Sequence, residues 1–284
     1  MDVISIFDPW DDPLCTCPVK YSLNPYTGCS HGCIYCYITS YIPRAFDCRP
    51  KKDLLRRVER DMRKVEKIPI SMSNSSDPYP PMEKELLLTR DVLKMIQRHQ
   101  HPLLIATKSD LVARDIGILK RMNVAVTITI TTFDPIYKKT EPKAPSPEKR
   151  LKAMKILAAE GVPVGLRLDP LIPGLNKDFK EVIKYAASAG ASHVVASTLK
   201  PRPDGWNRIK KTFPELSKKL APQYFEEGEV HSSSRYLPED MRREILGAVK
   251  EETEMMGMTF ATCREGLFMN RSVSCDGSHL LDDT

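Results

Sequence analysis

The sequence predicts an α/β fold, a partial (β/α)6 barrel of the TIM type over residues 21–200, with an N-terminal arm over 1–20 and a C-terminal helical extension over 201–284. Two observations predict it. Apolar stretches of strand length alternate with stretches of helical spacing, and strands joined by crossover helices pair in parallel. The strands number six, short of the eight that close a complete barrel. A chain of 284 residues with 41% hydrophobic content can bury one such core.

Residues 1–20 show no clear periodicity and are expected to form an extended arm lying on the body. The first strand is expected over 21–28. Leu54, Val58, Met62 and Val65 follow helical spacing. A strand is then expected over 68–73, and Thr89 is a candidate cap for a helix running toward Gln97. The alternation continues with a strand over 103–107, a short helix over 114–121 and a strand over 124–131. A helix over 147–160 opens with Pro147 and sets Leu151, Met154 and Leu157 on one side, before a strand over 162–168. Phe179, Val182, Ile183 and Ala186 form an amphipathic stripe ahead of a sixth strand over 193–198. Beyond Trp206 the alternation stops. Helices are expected over 207–220 and 238–256, with a tail that covers one side or the mouth of the barrel.

The chemistry concentrates in Cys29-Ser-His-Gly-Cys33-Ile-Tyr-Cys36. Three thiols at this spacing can converge on one metal centre, and the loop offers no fourth. A structural zinc site needs four closed ligands. Three cysteines on a four-iron cubane instead leave one iron open to bind a reacting molecule. Gly28 and Gly32 suit a loop folded tightly around such a cluster, and His31 is expected to line it.

This run resembles the cluster loop of the radical S-adenosylmethionine (SAM) superfamily. The surrounding words, from Ser22-Leu-Asn-Pro-Tyr-Thr-Gly28 through Tyr37, look most like the branch related to spore photoproduct lyase. The resemblance implies a [4Fe–4S] cluster held by Cys29, Cys33 and Cys36, and SAM chelated to the open iron. It further implies reductive cleavage to a 5′-deoxyadenosyl radical, and an electron donor of the flavodoxin or ferredoxin type. It also marks SAM-contacting positions: Tyr35 against the adenine, Tyr37 after it, and Ser76 in Ser75-Ser-Asp-Pro-Tyr79 at the methionine end. Lys108 is placed to pair with the SAM carboxylate, and Thr129 stands where relatives have a SAM-binding serine. Glu141 and Arg150 are candidate polar contacts, and Arg167 either faces the cavity or pairs with Asp169. One departure bears on the reaction. Spore photoproduct lyase has a hydrogen-returning cysteine where this chain has Asn74, so the resemblance carries the radical initiation and leaves the substrate open.

Cys15, Cys17, Cys263 and Cys275 form two distant pairs that could close a second iron–sulfur cluster or a zinc site and join the arm to the tail. Cys48 is read as structural. The net charge of +6 permits a nucleic-acid partner, and the competing reading is a metal-stapled nucleic-acid-binding protein without radical chemistry. Apolar runs fall far short of the roughly 20 residues that span a bilayer. No basic-then-apolar leader precedes the first strand, which predicts a cytoplasmic chain without a membrane partner.

Overall fold

A computed structural model describes residues 2–7, 12–72, 75–267, 269 and 273–282. Its centre is an eight-stranded sheet. In chain order the strands are β1 (Ile4–Ile6), β2 (Tyr21–Leu23), β3 (Ile70–Met72), β4 (Leu103–Thr107), β5 (Val124–Thr129), β6 (Val164–Leu171), β7 (His193–Thr198) and β8 (Thr259–Thr262). Each pairs with its neighbours in that same order. From β2 to β8 all pairings are parallel, and β1 runs antiparallel to β2, with Ile4 opposite Leu23. The six expected strands thus form the partial barrel. Two further strands extend its edges.

Those edge strands lie in the stretches read as arm and extension. Three residues carry β1, too few for a periodic signal, and a buried side chain fixes them: Asp61 accepts from the N–H of Val3 at 2.7 Å and of Ile4 at 3.2 Å. Strand β8 follows the helix Glu239–Met255, the sixth crossover, as the seventh parallel strand, placing Thr259 beside His193. Phe260 is fully buried there, and burying such a side chain contributes roughly 1.5–3 kcal/mol.

Several expected elements are redrawn. The first strand stops at Leu23, since Pro25 has no N–H to continue the ladder; Tyr26–Thr27 pairs separately with Arg49–Pro50. Thr89 does not cap its helix, Leu88–His99. It sits inside the first turn, its hydroxyl donates to the carbonyl of Pro78, and the buried carboxylate of Glu83 accepts from the N–H groups of Thr89 and Arg90 at 2.8 and 3.2 Å. The helix expected over 114–121 is a 3-10 segment, Asp110–Asp115, capped by Ser109, and one turn of α-helix, Ile116–Leu119. Pro214 divides the next expected helix into Pro203–Thr212 and Pro214–Phe225. Strand β6 runs past Pro170 to Leu171 through a register shift, which accommodates a residue that cannot donate to the ladder.

Two blocks of chain close the ends of the barrel. The two helices after Arg202 pack Trp206, Ile209, Leu220 and Tyr224 against Ile34 and Leu199, beside the carboxyl ends of the strands. The final segment lies under the opposite end. Lys20, just before β2, pairs with Asp276; Asn123, just before β5, exchanges hydrogen bonds with the backbone of Asp282 at 3.0 Å; His193, opening β7, meets the ring of His279 at 4.6 Å. No described helix is long and apolar enough to cross a membrane.

Candidate active site at the carboxyl mouth of the barrel

Parallel barrels present their reactive groups where strands end and loops begin. The loop after β2 enters this region through Gly28, whose φ of +76° would strain any other residue. A Cβ there would also stand 2.7 Å from the carbonyl oxygen of Ala45 and 2.9 Å from that of Asp47. Gly32 has φ +68° with nothing nearer than 3.9 Å, so its requirement is conformational alone.

The loop is pinned from three sides. The Cys29 N–H donates to Ala45 at 2.7 Å, and Ile34 donates to Thr140 at 3.0 Å while Lys143 donates to His31 at 3.1 Å. Arg208 reaches in from the helix Pro203–Thr212. Its Nε donates to the Ile34 carbonyl and its Nη2 to the Cys36 carbonyl and to Thr39 Oγ1, each at 2.8 Å.

Cys29, Cys33 and Cys36 all line one cavity of about 330 Å³. Burial pushes the Cys29 thiol up to about 12, with the charge of Asp77 adding to it, and also raises Cys33 and Cys36. Among the described residues, no three His, Cys, Asp or Glu side chains stand in finished metal-binding geometry. The loop thiols are therefore a donor set gathered on one wall, not a closed cage.

Asp77, in the stretch after β3, adjoins the cysteine loop at His31. It accepts from Thr107 Oγ1 and from the Lys108 N–H, each at 2.7 Å, and lies 3.2 Å from His31 Nε2. Burial opposes its ionisation, yet the His31 ring and these donors hold it at about 2. The Ser76 hydroxyl donates to the Tyr26 carbonyl at 2.9 Å. At the end of β4, Lys108 Nζ lies 5.6 Å from the centre of the Tyr35 ring and 3.8 Å from Glu141 Oε1. Tyr35 donates its hydroxyl to Glu141, which also pairs with Arg150 at 2.5 Å, both side chains fully buried. Burial works against this carboxylate too, and Arg150, Lys108 and Tyr35 together hold it at about 2.

The structure thus brings Tyr35, Tyr37, Ser76, Lys108 and Thr129 onto the same cavity as the three loop cysteines. Glu141 and Arg150 form the ion pair behind Tyr35. Arg167 does both things expected of it, lining the cavity and pairing with Asp169 at 2.9 Å. Asn74 lies outside the described residues. Lys200 is paired with Glu265 at 2.6 Å, Arg264 with Asp12, and Lys20 with Asp276. These cations do not form the uncompensated basic groove that phosphate binding draws on.

Two residues of the site escaped the sequence reading. Asp77 was legible in principle, since it directly follows Ser76 at a strand end. Arg208 had no local signal, because the carbonyls it binds are 172 and 174 residues away in sequence.

Comparison with known proteins agrees with this geometry. The family model of the radical SAM superfamily matches residues 23–186, more than half of the chain. An uncharacterized protein of Methanocaldococcus jannaschii is 37% identical over 170 residues, covering 55% of this chain and 62% of its own length. One from Mycobacterium bovis is 24% identical over 248 residues, covering 79% of this chain and 71% of its own. Among solved structures, a spore photoproduct lyase mutant with bound AdoMet and dinucleoside spore photoproduct superposes with a TM-score of 0.63 at 17% identity, over 84% of this chain and 75% of that one. SuiB of Streptococcus suis bound to S-adenosylmethionine gives 0.54 at 14% identity, over 85% and 49%. With a family match that spans the cysteine loop and the strands around it, the chain belongs to the radical SAM superfamily of enzymes, a family that implies a [4Fe–4S] cluster and SAM.

Proposed function

We propose that Cys29, Cys33 and Cys36 hold a [4Fe–4S] cluster at the carboxyl mouth of the barrel, and that the chain reductively cleaves SAM there to abstract hydrogen from a substrate in the same cavity. The observation that carries this reading is the convergence of three thiols from one short loop with Lys108 on a single cavity. The residues present fit the groups. Soft thiolates suit iron–sulfur ligation, the loop leaves one position without a cysteine, and about 330 Å³ lies in the range of small-molecule pockets. His31 Nδ1 is buried on the same wall without a hydrogen-bond partner.

When bound, the cluster and SAM supply the one-electron chemistry. The chain's residues bind and orient. Lys108 offers a compact positive charge to the SAM carboxylate, and Asp77 fixes the backbone that carries it. Glu141 accepts from the Tyr35 hydroxyl and so fixes the orientation of a ring that would hold the adenine. Ser76 and Thr129 present hydroxyls from two strand ends, Tyr37 stands at the rim, and the buried wall excludes water from a reactive species.

The reduction calls for an external donor of the flavodoxin or ferredoxin type. The substrate is left open, because neighbours of the same fold hold different molecules, a dinucleoside photoproduct in spore photoproduct lyase and a precursor peptide in SuiB. The test is anaerobic reconstitution with iron and sulfide, then reduction with dithionite in the presence of SAM. Formation of 5′-deoxyadenosine is expected, and Cys33→Ala is expected to abolish both the product and the bound iron. An iron-replete wild-type protein that leaves SAM intact would sink the reading.

A further inference from the structure

Four more thiols face the same cavity. Cys15 and Cys17 come from the arm, Cys263 follows β8, and Cys275 belongs to the segment beneath the barrel. Positions up to 258 residues apart in sequence are thereby brought into contact: Cys17 Sγ lies 3.5 Å from Cys275 Sγ. Cys15 stands close enough to Cys17, and Cys263 to Cys275, for their charges to interact. The four sulfurs form one continuous group inside the sheet, where Cys275 packs against Val195 and Ala261.

The spacing separates the chemistries that four thiols allow. A disulfide requires about 2.0 Å between sulfurs, and every one of these cysteines is free. Four thiolates on a single ion at about 2.3 Å occupy the corners of a tetrahedron whose edge is about 3.8 Å. The observed contact is close to that edge. In a cubane each cysteine binds a different iron, which keeps the sulfurs further apart.

The surroundings supply what such a centre needs. Four thiolates around a divalent ion carry two net negative charges, and two cations adjoin them, the buried Lys20 and the half-buried Arg167. Arg167 Nη2 donates to Cys263 Sγ at 3.3 Å, and the Lys20 charge favours the Cys17 thiolate. Each cation is held in turn by a carboxylate, Asp169 and Asp276 respectively. This is the outer-sphere pattern that orients metal ligands and balances their charge. The thiols do not yet stand at bonding geometry, a property they share with the loop trio, so the group is read as one that closes on its ion.

We propose that Cys15, Cys17, Cys263 and Cys275 bind one tetrahedral zinc ion, a closed structural centre that clamps the arm and the C-terminal segment inside the barrel. Binding replaces thiol protons, which leave to solvent, with bonds to the ion; nothing is oxidised or reduced. All four positions are filled by protein, so the centre takes no substrate. It fixes the wall that faces the loop cysteines.

The experiment is a metal count on full-length protein purified anaerobically, for wild type, for Cys17→Ser with Cys275→Ser, and for Cys29→Ser with Cys33→Ser and Cys36→Ser. The wild type is expected to hold one zinc, the double variant to lose it while keeping the loop's iron, and the triple variant to lose that iron while keeping zinc. Zinc-edge X-ray absorption on the triple variant is expected to show four sulfurs at about 2.3 Å. Should the double variant fail to fold, cobalt(II) added to the metal-stripped triple variant must give the intense visible absorption of a tetrahedral thiolate site. A zinc-free wild type whose iron falls in the double variant would overturn the proposal in favour of a second iron–sulfur cluster. A Cys17–Cys275 disulfide in the anaerobic protein, or cobalt without thiolate absorption, would overturn it as well. A zinc-replete wild type that forms no 5′-deoxyadenosine would instead count against the proposed catalytic function and leave this site intact.

Discussion

Replacing Glu141 with Gln removes one negative charge from a fully buried group while nearly preserving its shape. Arg150, 2.5 Å away and itself without solvent exposure, then keeps an uncompensated charge. Breaking a buried pair in this way costs about 3–5 kcal/mol. A second route gives a similar figure. The carboxyl is held at about 2 against an ordinary 4.5, and at about 1.4 kcal/mol per pH unit its ionised form contributes about 3 kcal/mol at neutral pH.

The sign follows from the depressed folded-state value. The contribution is complete above about pH 4.5, where the unfolded carboxyl is also ionised, and it fades as the pH falls toward 2. Urea unfolding of the metal-free protein, wild type beside Glu141→Gln, at constant ionic strength from pH 7 down to about pH 2.5, measures the difference directly. A gap of about 3 kcal/mol at pH 7 should close at the acid end, because a protonated Glu141 resembles glutamine. A gap that stays constant with pH, or one below about 1 kcal/mol at pH 7, would refute the reasoning that this ion pair braces Tyr35 and the cysteine loop.

Three further outcomes are expected. Gly28→Ala places a Cβ 2.7 Å from the Ala45 carbonyl oxygen in a left-handed conformation, which costs roughly 1–2 kcal/mol for the backbone alone; iron per chain after reconstitution should fall well below wild type, and full iron loading would contradict the steric account. Arg208→Ala removes three donors from the loop, so hydrogen exchange at residues 34–40 should quicken markedly while distant strands stay protected; unchanged exchange there would show that the loop holds itself. Lys108→Met leaves Glu141 paired with Arg150 but withdraws the cation offered to the SAM carboxylate. Losing a charged hydrogen bond of about 1.5–3 kcal/mol should weaken SAM binding by about tenfold or more in calorimetry, and an unaltered affinity would remove Lys108 from the site.

Much of this molecule could be read from local patterns. Leu54, Val58 and Met62 recur at the helical period and are buried together, and the apolar run over β4 is as buried as its composition implies. Such features are visible because the periodicity of a helix or strand is a property of consecutive residues. The cysteine loop is legible for the same reason: its three thiols are separated by a few residues, so their convergence needs no knowledge of the rest of the fold.

What depended on distant chain was hidden. Strand β1 is three residues long and exists through its pairing with β2 and its anchor on Asp61. Strand β8 reads as an isolated apolar stretch until β7 offers it a free edge. Spacing could suggest a link between the arm and tail cysteines, but only folding brings Cys17 within 3.5 Å of Cys275.

From the sequence alone came the barrel's alternation, the three-thiol loop and the charged and hydroxyl residues at strand ends, because each is encoded over a few consecutive residues. Tertiary structure alone decided that Arg208 pins the loop, that Asp77 ties His31 of that loop to the end of β4, and that four remote thiols meet inside the sheet. Those contacts arise only when segments far apart in sequence are packed against a common core, and no short window of residues records that packing.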